Sequence, residues 1–90
     1  MNENNNQLAL SSEALSAEAG VLGSMLIDEK AVGPMMLALT EEDFLSPEGK
    51  RVFQVIRDRY NRGEAVDPLL VAADLGDAYR PRIAEYIDWT

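Results

Sequence analysis

The pair Gly49-Lys50 is the first place in this chain to examine for chemistry, because the phosphate-binding loop of nucleotide-binding proteins ends with glycine and lysine. In such a loop another glycine opens the motif and a serine or threonine follows the lysine. Here Phe44 holds the place of the first glycine, and Arg51 that of the hydroxyl that binds magnesium. The chain also has no histidine and no cysteine, which excludes Ser-His and Cys-His nucleophiles and the usual zinc ligand sets. The sequence therefore predicts no catalytic, cofactor-binding or metal-binding residues.

Two groups of charged residues remain as candidates for binding a cation or a partner protein. Glu41, Glu42 and Asp43 either bind a divalent cation weakly or stabilise the start of a helix, where carboxylates are favourable. Lys50 and Arg57 are seven residues apart and therefore lie on one face of a helix. They are either solvated or contact an acidic surface of a partner protein. Lys50 and Arg57 are the candidate partner surface.

The overall charge limits the partners further. Sixteen acidic against eight basic residues give a net charge of −8, which repels phosphate backbones and anionic lipids. We therefore expect no direct binding of nucleic acid. The longest apolar stretch, Ala31 to Leu39, contains Gly33 and Pro34 and is too short to span a membrane. The amino terminus lacks the cationic start and apolar core of a signal peptide, so we expect a cytoplasmic protein.

These candidates must be positioned by the long helix predicted from Pro47. Ser46 is a good N-cap, proline suits the first helical position, and Gly63 can end the helix in a left-handed conformation. Asp67-Pro68 starts another helix shortly afterwards. The helical spacing predicts one apolar face and an ion pair between Asp58 and Arg62. The residues of the apolar face are Val52, Phe53, Ile56 and Tyr60.

The rest of the chain is also predicted to be helical. Residues 1–10 form an Asn-rich leader that we expect to be disordered, and residues 11–90 form one helical domain. A helix from Ser12 carries an apolar stripe, and Gly20 and Gly23 within it are expected to let another helix approach closely. The stripe consists of Leu15, Ala19, Leu22 and Leu26.

Proline and helix-capping residues predict where the other helices of the chain begin and end. Asp28 can cap a second helix that Gly33-Pro34 should break or restart, and Thr40 caps an acidic turn. A fifth helix runs from Pro68 to about Leu75. A sixth opens at Pro81 and should turn Ile83, Ala84, Ile87 and Trp89 inward. We therefore predict an all-α fold, a compact bundle of five to six short helices without internal repeats.

Three sequence blocks resemble the amino-terminal domain of DnaB-type replicative DNA helicases. The first is Ser16 to Asp28, in which Glu18 and the apolar positions match the family pattern. The second is Asp43-Phe44 followed by Val52-Phe53, and the third is the turn from Arg62 to Asp67. Leu45, Gly49 and Leu70 depart from the usual tyrosine, histidine and threonine of the family. The family-motif core comprises Val21, Leu22, Gly23, Leu26, Phe44, Val52, Phe53 and Ile56.

The resemblance implies a head domain with a scaffolding role in DNA replication. Such a domain, DnaB helicase N-terminal domain-like in fold, would assist oligomerisation into dimers or a hexameric ring, form a collar and recruit primase and a helicase loader. It would not itself be an enzyme. The helical hairpin and the RecA-like motor that follow it in the family, with ATP and Mg²⁺ in the motor, are absent from this sequence. The alternative is a free-standing small helical regulator or a DNA-binding helix-turn-helix protein.

Overall fold

The computed structural model describes the backbone of residues 2–90 and the side chains of residues 12–90. Five α-helices occupy this part of the chain, and it contains no β-strand. They are α1 (Asn2–Ile27), α2 (Glu29–Ala38), α3 (Pro47–Asn61), α4 (Pro68–Leu75) and α5 (Arg80–Asp88). Two short 3-10 turns, Glu41–Asp43 and Asp77–Tyr79, precede α3 and α5. The predicted all-α fold of five to six short helices is confirmed.

The predicted caps are present around α3 and α4. The Ser46 side chain accepts a hydrogen bond from the backbone N–H of Gly49, and Asp67 accepts one from Leu70. Gly63 has a φ of 71°, the left-handed conformation that favours glycine after a helix. Capping residues act over three or four positions, so the sequence alone could place these helix ends.

The core lies where α1, α2, α3 and α4 meet. Its fully buried side chains come from every one of these helices, so no single helix could bury them alone. Phe44, from the loop before α3, packs on Phe53 with ring centroids 4.8 Å apart and ring planes inclined at 34°. The largest fully buried side chains are Phe53, Leu22, Met25, Leu26, Ile56, Val32, Val52 and Val71.

Two predicted helix boundaries differ from the structure. Helix α2 continues through Gly33-Pro34 to Ala38, because proline removes only one backbone hydrogen bond and Lys30, the residue whose carbonyl loses it, is exposed. Helix α1 begins at Asn2, within the segment for which the sequence predicts a disordered leader. The boundary at residue 10 stays a prediction, since the side chains of residues 2–11 lie outside the described part of the chain.

The inward face of α5 was predicted incorrectly in part. Ile83 is buried, and Ile87 is partly buried against the core. Ala84 is exposed and Trp89 is 59% exposed, whereas Tyr86 is buried. The reason is that α5 packs along α1 through Tyr86, which turns its terminal tryptophan away from the core.

Candidate interaction surfaces

The close contact between α1 and α5 depends on Gly23. A Cβ atom at this position would overlap the backbone carbonyl oxygen of Tyr86, so only glycine permits the observed approach. Gly20, by contrast, has nothing within 4 Å of where its Cβ would lie. The expected close approach of another helix is therefore correct for Gly23 and wrong for Gly20.

A buried carboxylate connects α1 to the start of α3. Glu18 is only 7% exposed, and its Oε1 accepts hydrogen bonds from the backbone N–H groups of Leu45, at 2.6 Å, and Ser46, at 3.4 Å. The Ser46 hydroxyl donates to Oε2 and accepts from the Gly49 N–H at 2.8 Å. The carboxylate thus lies at the positive end of α3, where a negative charge is stabilised. The sequence marked Glu18 as a motif position but gave no signal for this role.

One face of α5 and one face of α1 enclose a groove of about 300 Å³, which we call the acidic groove. Ala19 and Tyr86 form its buried floor, and the partly exposed Leu15 and Trp89 border it. Three carboxylates, those of Glu18, Glu48 and Glu85, and one guanidinium, that of Arg82, line the groove. Its lining therefore carries a negative charge beside exposed apolar surface.

The opposite face of α5 and helix α4 enclose a second groove of about 230 Å³, which we call the apolar groove. Leu69 stands at its edge and is 83% exposed. No carboxylate lines this groove, and Arg80 is its one charged residue, with Nε 3.1 Å from Asp77 Oδ1. The remaining lining residues are Pro68, Ala72, Ile83, Ala84 and Ile87.

Lys50 and Arg57, the predicted partner surface, both meet the acidic turn of the chain itself. Lys50 Nζ donates to the carbonyl oxygen of Glu41 at 3.3 Å, and an Arg57 nitrogen lies 3.5 Å from Glu41 Oε2. The two residues do share one face of α3, as their spacing predicts. The carboxylate of Glu41 partly compensates the charge of Arg57, so this face offers less positive potential than the sequence indicates.

The family-motif residues lie inside the domain. Val21 is partly buried and packs against the core, and the other seven are buried. They come from α1, α3 and the loop directly before α3, so they hold the framework on which the grooves lie. The buried residues are Leu22, Gly23, Leu26, Phe44, Val52, Phe53 and Ile56.

Sequence reasoning missed a buried arginine. Arg59 is 8% exposed, and it donates to the carbonyl oxygen of Ala65 at 2.7 Å and to Asp74 Oδ2 at 2.8 Å. It ties α3 to α4 across the turn. The predicted pair between Asp58 and Arg62 is wrong, because Arg62 bonds instead to Glu64 in the same turn.

The described residues offer no metal centre and no spanning segment. No group of three or more aspartates, glutamates, histidines or cysteines among them could hold a metal ion. None of the helices in this part of the chain is long and apolar enough to cross a membrane. The acidic groove and the apolar groove are candidate interaction surfaces because each combines exposed large apolar side chains with a distinct charge.

Comparison with known proteins gives one consistent result. The sequence model of one protein family, the DnaB-like helicase N terminal domain, matches residues 11–87. The replicative DNA helicase DnaB of Mycobacterium leprae (strain TN) is 41% identical over 61 residues, which are 68% of this chain and 10% of that protein. The replicative DNA helicase DnaB of Geobacillus stearothermophilus is 33% identical over 63 residues, 70% of this chain and 14% of that protein.

A solved structure agrees with these matches. The crystal structure of the N-terminal domain of DnaB helicase from Mycobacterium tuberculosis is similar with a TM-score of 0.78 and 32% identity. The match covers 84% of this chain and 60% of that one. The chain thus spans only 10% and 14% of the length of the two curated relatives.

Proposed function

The chain belongs to the family of DnaB-like helicase N-terminal domains, and from this premise we propose that it is a protein–protein interaction domain of a replicative DNA helicase. In this role it assists oligomerisation of the parent protein as part of a ring collar. It also helps to recruit primase, and a helicase loader, during DNA replication in the cytoplasm. The parent binds ATP and Mg²⁺ in a separate motor domain and is an ATP-dependent DNA helicase.

The observation that carries the proposal is the apolar groove on an otherwise acidic molecule. Two copies that each carry a net charge of −8 repel one another, so they associate best where carboxylates are absent. The apolar groove meets this condition, and Leu69 stands beside it as an exposed side chain that a neighbouring molecule can bury. A contact of this small size gives weak self-association in a single head domain.

Sedimentation velocity over a range of protein concentrations tests this role. We expect a monomer in equilibrium with a weak dimer. Raising the salt concentration should strengthen the dimer, because salt screens the repulsion between like-charged copies. Leu69→Glu should abolish the dimer by placing a carboxylate beside the groove.

Leu37→Glu is the matched control, because Leu37 is 92% exposed on α2 and lies outside both grooves. It adds the same charge and should leave the dimer nearly intact. Equal loss of association in the two variants would mean that net charge, and not the apolar groove, determines the contact. A dimer that resists Leu69→Glu would remove the groove from the proposal.

Binding of single-stranded DNA distinguishes the proposal from a DNA-binding regulator. Because the chain is acidic and the Lys50 and Arg57 side chains already contact Glu41, we expect negligible affinity for a labelled oligonucleotide. Fluorescence anisotropy at moderate salt measures it. Sub-micromolar binding that disappears in Lys50→Ala and Arg57→Ala would favour the regulator instead.

The parent protein can be tested on the gene. A reading frame that continues beyond Thr90 into a phosphate-binding loop, with glycine, lysine and serine or threonine at the motif spacing, is expected for a helicase. A stop codon directly after Thr90 would contradict the proposed parent and leave only the interaction role.

A further inference from the structure

We propose that the acidic groove binds a cationic, amphipathic segment of a partner protein. An apolar side chain of that segment lies between Leu15 and Trp89, and a lysine or arginine beside it contacts Glu48 and Glu85. The inference rests on the proposed function only in taking the partner to be a protein.

The first argument is the exposed apolar surface at the groove. Trp89 is the one tryptophan of the chain and is 59% exposed, and Leu15 on the facing helix is 43% exposed. Large aromatic side chains that remain exposed in a folded domain are typical anchors of protein interfaces. Ala19 in the floor of the groove takes up little space, because its side chain ends at Cβ. The groove can therefore accept one apolar side chain.

The second argument is the charge at the rim. Glu18 is occupied by the backbone and hydroxyl donors at the start of α3, so it offers little to a ligand. Glu85 shares its charge with Arg82 at 3.1 Å, whereas Glu48 has no ion pair among the described residues. The accessible rim is thus net negative. Together with the net charge of −8, it attracts a cationic segment and repels an anionic one.

The third argument is that the groove is formed before any partner arrives. On one side, the hydrogen bonds that the Glu18 carboxylate accepts from Leu45 and Ser46 fix α1 against the start of α3. On the other, Gly23 lets α1 lie directly against the backbone of Tyr86. A preformed groove loses little conformational entropy when a ligand binds, which favours binding of a short segment.

A second copy of the chain is a poorer occupant of this groove, because it brings its own excess of carboxylates to the negative rim. Nucleic acid is repelled for the same reason. The apolar groove, which lacks carboxylates, has no comparable preference for a cation. The difference in charge between the two grooves therefore predicts different ligands: a cationic segment in the acidic groove and a second copy of the chain in the apolar groove.

Titration of the full chain with a synthetic helical peptide tests the inference. The peptide carries leucines on one face and lysines on the other, and a second peptide carries glutamates in place of the lysines. Trp89 is the reporter: its emission should shift to shorter wavelength with the lysine peptide only. Binding should weaken as salt is raised.

Two double variants with the same net charge separate specific from general attraction. Glu48→Gln with Glu85→Gln removes the rim carboxylates and should weaken binding of the lysine peptide about fivefold. Glu29→Gln with Glu42→Gln removes two exposed carboxylates outside the groove and should change it less than about twofold. Leu15→Ala should weaken binding without changing its dependence on salt.

Equal weakening in the two double variants, or binding that leaves the Trp89 emission unchanged, would overturn the inference. So would equal binding of the glutamate peptide. Self-association through the apolar groove is measured in the absence of peptide, so its outcome is independent of this one.

Discussion

Helix α5 separates two grooves of about 300 and 230 Å³ that differ in charge. Its Tyr86 and Glu85 face α1 and the start of α3, where carboxylates gather. Its Ile83 and Ile87 face α4, which contributes none to the groove. The same short helix therefore borders both surfaces, and the residues on its two faces and on the neighbouring helices give the surfaces different charges. Salt should act in opposite directions, strengthening contacts of the apolar groove between copies and weakening cationic binding to the acidic groove.

The largest effect should come from the core that both grooves share. Phe53 is fully buried against Phe44, so Phe53→Ala should reduce the free energy of unfolding by about 3–5 kcal/mol. That is a large part of the stability of a small domain, so both grooves should be lost together. Thermal unfolding followed by circular dichroism measures the change. Leu37→Ala, at an exposed position, should change it by less than about 0.5 kcal/mol, and an unchanged midpoint for Phe53→Ala would contradict the described core.

A smaller change should act on the contact between α1 and α5, on which the acidic groove depends. Gly23→Ala must push α5 away from α1, because the new methyl group overlaps the Tyr86 carbonyl. We expect destabilisation by about 1–3 kcal/mol, measured by denaturant unfolding, with altered Trp89 emission in the folded state.

Gly20→Ala is its matched control on the same helix. With open space at this position, alanine should stabilise α1 by about 1 kcal/mol. If the two alanine variants were equally stable, the close approach of α1 and α5 would not exist in solution.

Replacing the buried carboxylate should have a further, smaller effect. Glu18→Gln places an NH₂ donor near the Ser46 hydroxyl and removes the negative charge at the start of α3. We expect a loss of about 1.5 kcal/mol in the free energy of unfolding. Glu42→Gln, which lies in an exposed acidic turn, should cost only a few tenths of a kcal/mol. A loss as small for Glu18→Gln would mean that Glu18 does not fix the groove.

The last effect, which is absent at neutral pH, concerns Tyr86 in the floor of the acidic groove. Burial raises the pKa of Tyr86 from 10.0 to about 12, although nearby Arg82 opposes the shift. Between these values the unfolded chain loses the phenolic proton and the folded chain keeps it. The stability that neutral Tyr86 contributes is therefore complete below pH 10 and is lost as pH rises towards 12.

Tyr86→Phe should remove this part of the alkaline loss of stability. Ultraviolet absorbance during titration of the variant should then lack the tyrosinate transition near pH 12 that the unchanged chain shows. If the titration curve of the variant kept that late transition, Tyr86 would not be the buried tyrosine.

Local features of the sequence were sufficient to predict where most of the helices start. Ser46 with Pro47, and Asp67 with Pro68, start α3 and α4 as expected, because capping bonds and the fixed φ of proline involve neighbours only. The apolar spacing likewise predicted an all-α fold. It failed at Gly33-Pro34, where a single missing backbone bond at an exposed position did not interrupt α2.

The grooves could not be predicted in this way, because they depend on residues distant in the chain. The spacing placed Leu15 on the same stripe as Leu22, yet Leu15 lies beyond the reach of the core and borders a groove. It could not distinguish Gly23 from Gly20, since only the path of α5 makes one of them indispensable.

The sequence by itself determined the helical composition, the caps and the negative charge of this protein, since each depends on residue type and near neighbours. Only the tertiary structure decided which groups the charged side chains contact. It brought Glu18 to the start of α3, directed Lys50 and Arg57 to Glu41, and left Trp89 exposed beside Glu85. The contact of Glu18 with Leu45 spans 27 positions of the chain and that of Arg57 with Glu41 spans 16, so the packing of the helices fixes them and near neighbours do not.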